Sequence, residues 1–175
     1  MTDHTISALS PLDGRYAGKL AALRPLMSEQ GFMHRRVQVE VTWLLALSDS
    51  GMPEFKPYSA DARVFLRGLI EKFSADHALA IKEIEKTTNH DVKAVEYWIK
   101  AQFKDRPELE SAAEFVHFAC TSEDINNLSY ALIVRDATAE IWLPALRQVI
   151  ARLRQLSVQY RNDAMLARTH GQPAT

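Results

Sequence analysis

Residues 122–160 read SEDINNLSYALIVRDATAEIWLPALRQVIARLRQLSVQY, and the reading of this stretch decides the fold. No strong helix stop occurs between Ser122 and Tyr160. Leu146, Ile150, Leu153, Leu156 and Tyr160 step by three and four, close to a heptad stripe. Thr121 or Ser122 supplies an N-cap, and Glu123 or Asp124 suits the positive end of the helix. About 38 residues at about 1.5 Å each make a helix of roughly 57 Å, too long for a compact small domain. Pro144 predicts a kink. The stretch is either an ordinary bundle helix broken near Pro144 or one arm of a large bundle built between subunits.

Upstream, the same periodicity recurs in shorter pieces. Ser28 caps a helix to about Ser48, with Phe32, Val37, Val41, Leu44 and Leu45 at helical spacing. Gly51 and Pro53 end it. Ser59 caps a second helix carrying Val64, Phe65, Leu69 and Phe73, and Ser74 begins a third that reaches about Lys86. After Thr87-Thr88-Asn89-His90, Asp91 caps a helix through Val95, Trp98, Ile99 and Phe103. Pro107 opens a short helix containing Ala113, Phe115 and Val116. Residues 1–16 form an irregular arm ending in the turn Pro11-Leu12-Asp13-Gly14. No strand alternation of useful length and no internal repeat occurs, so the fold class is all-α.

Composition narrows the function. The 175 residues are enough for one domain with part of a second. With 21 Lys+Arg against 22 Asp+Glu, the net charge of -1 argues against electrostatic binding to nucleic acid or an anionic membrane. No run approaches the roughly 18 apolar residues of a membrane span. The N-terminus lacks the basic and apolar regions of a signal peptide, and a lone thiol fits the cytoplasm. One cysteine excludes an internal disulfide and a multi-cysteine zinc site. Beside Phe118 and Ala119, Cys120 is expected to be a buried small hydrophobe.

Four polar clusters interrupt the helices. In Ser10-Pro11-Leu12-Asp13-Gly14-Arg15-Tyr16, Gly14 permits an unusual turn from which Arg15 and Tyr16 project together. Arg15 suits a phosphate or carboxylate, although a solvated surface turn fits as well. In Thr87-Thr88-Asn89-His90-Asp91, amides at a helix start make an anion site, and Asp91 beside His90 favours the protonated imidazole. Plain capping by Asp91 is the alternative. In Cys120-Thr121-Ser122-Glu123-Asp124, two hydroxyls at a helix start can hold a carboxylate or simply cap. The following Asn126-Asn127 pair, poor helix formers, suggests polar contacts. In Arg168-Thr169-His170-Gly171-Gln172-Pro173, His170 at a helix entrance begun by Pro173 suits general acid–base work, or is a surface turn histidine. No metal site is expected, since His90 and His117 lack companion ligands at familiar spacing. His4, His34, His77 and His117 are expected to be structural or solvated.

In order, SPLDGRY, TTNHDVKAVE, FACTSEDINN and RTHGQPAT resemble the motifs of the adenylosuccinate lyase family, bacterial branch, within the fumarase/aspartase superfamily. The resemblance covers about Ser7 to Thr175. THGQPA is shared across the superfamily, whereas the second and third motifs are specific to the family. The resemblance implies a small N-terminal helical domain over residues 1–110. Over 111–175 it implies the first long helix of a central helical bundle, assembled in a homotetramer. It implies β-elimination of fumarate from adenylosuccinate, giving AMP, and from the succinyl-carboxamide ribotide SAICAR, giving AICAR. It implies no cofactor.

By the same resemblance, Arg15 and Tyr16 bind the nucleotide portion, with Arg15 near the phosphate. Asn89, His90 and Asp91 bind substrate, His90 also supporting the chemistry. Thr121 and Ser122 grip a succinyl carboxylate, and Thr169 accompanies His170, the general acid that protonates the departing nitrogen. The family's general base is a serine in a glycine- and serine-rich loop followed by Met-Pro-Lys-Asn, and this sequence contains no such segment. The chain is therefore expected to be the N-terminal portion of a longer enzyme, inactive alone. A non-catalytic helical interaction module and another lyase of the superfamily are the alternatives.

Overall fold

A computed structural model describes residues 6–164 and 167–173, leaving His4 and the end of the fourth motif, Ala174-Thr175, outside. Eight α-helices lie among the described residues: α1 (Arg24–Met27), α2 (Glu29–Ser48), α3 (Ala60–Glu71), α4 (Ala75–Thr88), α5 (Asp91–Ala101), α6 (Pro107–Glu110), α7 (Ser122–Asp136) and α8 (Leu143–Gln159). Two-residue strands β1 (Arg168–Thr169) and β2 (Gln172–Pro173) follow. The fold is all-α, as the periodicity predicts. The chain forms two compact units, Met1–Ala137 and Thr138–Thr175.

Most helix starts match their sequence signals. Ser28 accepts the Gly31 amide at 3.2 Å, and Ser59 accepts the Ala62 amide at 3.2 Å. Ser74 forms a capping box with His77, whose Nδ1 accepts the Ser74 amide at 3.2 Å. Two readings are corrected. Helix α5 is capped by His90 rather than Asp91, which is its first residue. The element opened by Pro107 ends at Glu110, and a 3₁₀ turn (Ala113–Phe115) follows with Val116 extended. Gly-free helical spacing alone cannot separate one helix from two short turns.

The core of the first unit is built around α2. Met33, Val37, Val41 and Leu44 meet Leu66 of α3, Ile81 of α4, Val95, Trp98 and Ile99 of α5, and Phe103, Leu109 and Val116 beyond. Of the apolar residues read on the helix that Ser59 caps, Phe65, Leu69 and Phe73 pack half-buried against the core and Val64 is exposed, while Ala62 and Leu66 are buried. Cys120 is half-buried rather than buried. Burial, with the charges of Glu40 and Asp124, pushes its thiol pKa up.

A smaller cluster matters more for function: Val39 of α2, Val92 in the first turn of α5 and Ile125 in the first turn of α7 are buried together. Burying those two first turns against one residue of α2 draws the N-termini of α5 and α7 toward each other.

Helical structure runs from Ser122 to Gln159, with a π-helical segment over Ala137–Trp142 just before Pro144. The expected break is thus a π turn, a wider i→i+5 winding that precedes the proline. In α8 no residue is buried, and Leu146, Ile150, Leu153 and Tyr160 all lie exposed.

Close packing fixes the entry to α2. A Cβ added at Gly31 would lie 2.5 Å from the Leu26 carbonyl oxygen and 2.6 Å from that of Pro25. Because those atoms are backbone, Gly31→Ala should destabilise the chain by about 1–3 kcal/mol, read as a lower midpoint in urea denaturation.

Candidate active site

The second and third clusters meet. Asn89 closes α4 in a left-handed conformation with φ 48°, which asparagine tolerates, and the chain reverses into α5. His90 then turns its ring over the helix start, and its Nδ1 accepts the Lys93 amide at 3.2 Å. An accepting Nδ1 carries no proton, so in this arrangement the ring proton sits on Nε2. Nε2 faces the Ser122 hydroxyl at 3.5 Å, at the start of α7. An imidazole N–H and a hydroxyl thus meet where α5 and α7 begin, with the Val92 and Lys93 amides already taken by Asp91 and His90. That combination is suited to an oxyanion or carboxylate.

Asp91 does not hold His90, contrary to the sequence expectation. Its Oδ1 accepts the Val92 amide at 2.9 Å, and its Oδ2 pairs with the Arg36 guanidinium. The gap from His90 Nδ1 to Asp91 is 3.8 Å, too long for a hydrogen bond. Burial pushes the Asp91 carboxyl up, but the Arg36 bond and charge and the Val92 amide outweigh it and hold it below the ordinary 3.8.

Thr121 and Ser122 divide their labour. Thr121 is the N-cap of α7 and its hydroxyl and amide are engaged by Asp124 at 3.0 and 2.7 Å, which also lowers the Asp124 carboxyl pKa. The half-buried Ser122 keeps its hydroxyl toward His90. The loop leading there, with His117 at φ 65° and Ala119 at φ 57°, is strained and firmly held. His117 Nδ1 lies 2.6 Å from Glu40 Oε1, and the Trp43 indole donates to the Phe118 carbonyl at 2.8 Å. Glu40 is fully buried, and burial pushes its carboxyl pKa up against the opposing bond to His117. His34, hydrogen-bonded to Ile70, and His77, in its capping box, are structural as expected.

Arg15 and Tyr16 are exposed in the N-terminal turn, with the guanidinium 5.6 Å from the Tyr16 ring centroid. Gly14 lies in the turn without a positive φ. It is buried, and its amide bonds the Ser10 carbonyl at 3.0 Å.

The fourth cluster lies in the second unit as a hairpin, β1 pairing with β2 in the register Arg168↔Pro173 and Thr169↔Gln172. Pro173 therefore belongs to a strand and not to a helix start. His170 and Gly171, with φ of 48° and 78°, are the two turn residues, a geometry that requires positive φ at both. His170 is exposed at the tip of the hairpin, and Thr169 is exposed beside it.

Two contributors escaped the sequence reading. Arg36 is buried, its Nε donates to Asn126 Oδ1 at 2.9 Å, and its guanidinium stacks 4.0 Å from the Phe32 ring centroid. Asn126 also donates to Glu123 Oε1 at 2.9 Å, which explains the asparagine in the helix. Glu40 is the second. The available signal was phase: Phe32, Arg36 and Glu40 recur every four residues beside the buried Met33, Val37 and Val41.

A family described as Lyase matches residues 14–175, and the chain belongs to it. The relatives are more particular. The chain is 51% identical over 172 residues to the adenylosuccinate lyase of Escherichia coli strain K12, covering 98% of this chain and 38% of that protein. It is 50% identical over 172 residues to that of Haemophilus influenzae, with the same coverage. It is 47% identical over 177 residues to that of Legionella pneumophila strain Corby, covering 100% of this chain and 39% of that protein. The chain thus spans well under half the length of these relatives.

Asp91 supplies a measurable pH dependence. Its folded pKa lies below the ordinary 3.8, so its stabilisation is present above that value and is lost as pH falls through the lower folded value. Asp91→Asn should flatten the stability profile in that acid window, measured by urea titrations at successive pH values.

Proposed function

We propose that the chain is the acid-bearing portion of an adenylosuccinate lyase. Its substrates are adenylosuccinate and SAICAR, and it releases fumarate with AMP or AICAR. The observation that carries this reading is the identity of about half the residues, over nearly the whole chain, to proteins of that name. The pairing of His90 with Ser122 at two helix starts supports it.

In the proposed reaction a base removes a proton from the succinyl carbon next to a carboxylate. The electrons form the carbon–carbon double bond of fumarate, the C–N bond breaks, and its pair goes to the leaving nitrogen. His170 gives that nitrogen a proton. Ser122, with the amides at the start of α7, holds a succinyl carboxylate, and the His90 Nε2–H donates to the same region. Thr121, Thr169, Asn89 and Asp91 bind or orient substrate, while Arg15 and Tyr16 take the nucleotide phosphate and its surroundings. The sequence contains no serine base loop, so the base is supplied by a part of the enzyme not included in it.

The domain division at about residue 110, a cytoplasmic homotetramer, and active sites shared between subunits belong to the same proposal. The exposed Leu146, Ile150 and Leu153 stripe on α8 supports a bundle formed with other chains.

In a full-length lyase carrying this chain, His170→Ala should lower kcat by about 10²–10⁴, and Arg15→Ala should raise KM by roughly tenfold to a hundredfold with little change in kcat. Both are read from fumarate release. Full kcat in the His170 variant would remove it from the acid role.

A further inference from the structure

We infer that Arg36 is a positioning residue that holds Asp91 off the His90 ring and so fixes the ring proton on Nε2, facing Ser122. The role of that proton in catalysis rests on the lyase reading, but the tautomer itself does not.

Three observations carry this. First, His90 Nδ1 serves α5 as an acceptor for the Lys93 amide, which only an unprotonated Nδ1 can do. Second, Asp91 stands 3.8 Å away, within a small rotation of taking a proton on Nδ1. A carboxylate there would favour Nδ1–H, breaking the cap and turning Nε2 into an acceptor or leaving an imidazolium. Third, the carboxylate is occupied elsewhere. Arg36 takes Oδ2 and the Val92 amide takes Oδ1. Among the described neighbours, Lys93 does not compete for Asp91, being bonded to Glu96 at 2.7 Å.

Arg36 is built for a fixed direction. Its side chain is 5% exposed, its Nε is tied to Asn126 and its plane lies over Phe32. A guanidinium held at three points cannot follow Asp91 if the carboxylate swings, so Asp91 stays where Arg36 is. Asn126 sits one turn beyond Ser122 on α7, so the same group registers the hydroxyl against the imidazole.

The test is the nitrogen–proton correlation spectrum of the histidine rings in the 175-residue chain, above neutral pH. The His90 signals are those lost in His90→Gln. The wild-type chain should show His90 protonated at Nε2 alone. Arg36→Met, which removes the charge and keeps an unbranched side chain beside Phe32, should move the proton to Nδ1 or protonate both nitrogens. Arg36→Gln, which retains a donor for Asn126, should do the same and serves if the Met variant fails to fold. Adding Asp91→Asn to either should restore the Nε2–H form, since the competing carboxylate is gone. A merely structural role for Arg36 would leave the double variant as disturbed as the single one. Protonation at Nδ1 in the wild type, an unchanged ring in the Arg36 variants, or no restoration by Asp91→Asn would each overturn the inference. None of these outcomes depends on lyase activity, so a failed lyase assay would count against the proposed function alone.

Discussion

One buried guanidinium holds the site together. Arg36 lies on the inner side of α2, yet its three attachments belong to three different places: Asp91 at the start of α5, Asn126 in the first turns of α7, and the Phe32 ring on its own helix. Burying a charge is costly, and a partnered buried pair often contributes little net stability. What such a pair supplies is direction. Loss of one partner strands the other, so the helix starts that carry Asn89-His90-Asp91 and Thr121-Ser122 are held to one arrangement.

Apolar burial does the complementary work. Val39, Val92 and Ile125 draw the same helix starts together without specifying rotation. The polar ties then specify it. The loop from His117 to Cys120 shows the same division: left-handed residues set its path, while Glu40 and Trp43 anchor it from α2. Helix α2 therefore serves as the backbone of both the core and the site, with one set of residues facing each.

Helix ends were legible in the chain because capping is local. Ser28, Ser59, Ser74 and Thr121 each act within three residues of themselves, and their sequence signals match the structure. The exception is instructive. His90 and Asp91 both can cap α5, and the pairing of Asp91 with the buried Arg36, 55 residues away, leaves the cap to the imidazole. Likewise Pro173 fits a helix start or a hairpin, and the left-handed pair His170-Gly171 selects the hairpin.

The sequence by itself determined the all-α class, most of the helices, the four motifs and their resemblance to a lyase family, because periodicity, caps and motif order are properties of neighbouring residues. Which face of α3 is buried, that His90 meets Ser122, and that Arg36 and Glu40 belong to the site were decided only by the tertiary structure. Each depends on contacts between residues far apart in the chain, and side-chain charge in a helix carries no mark of the partner that burial will give it.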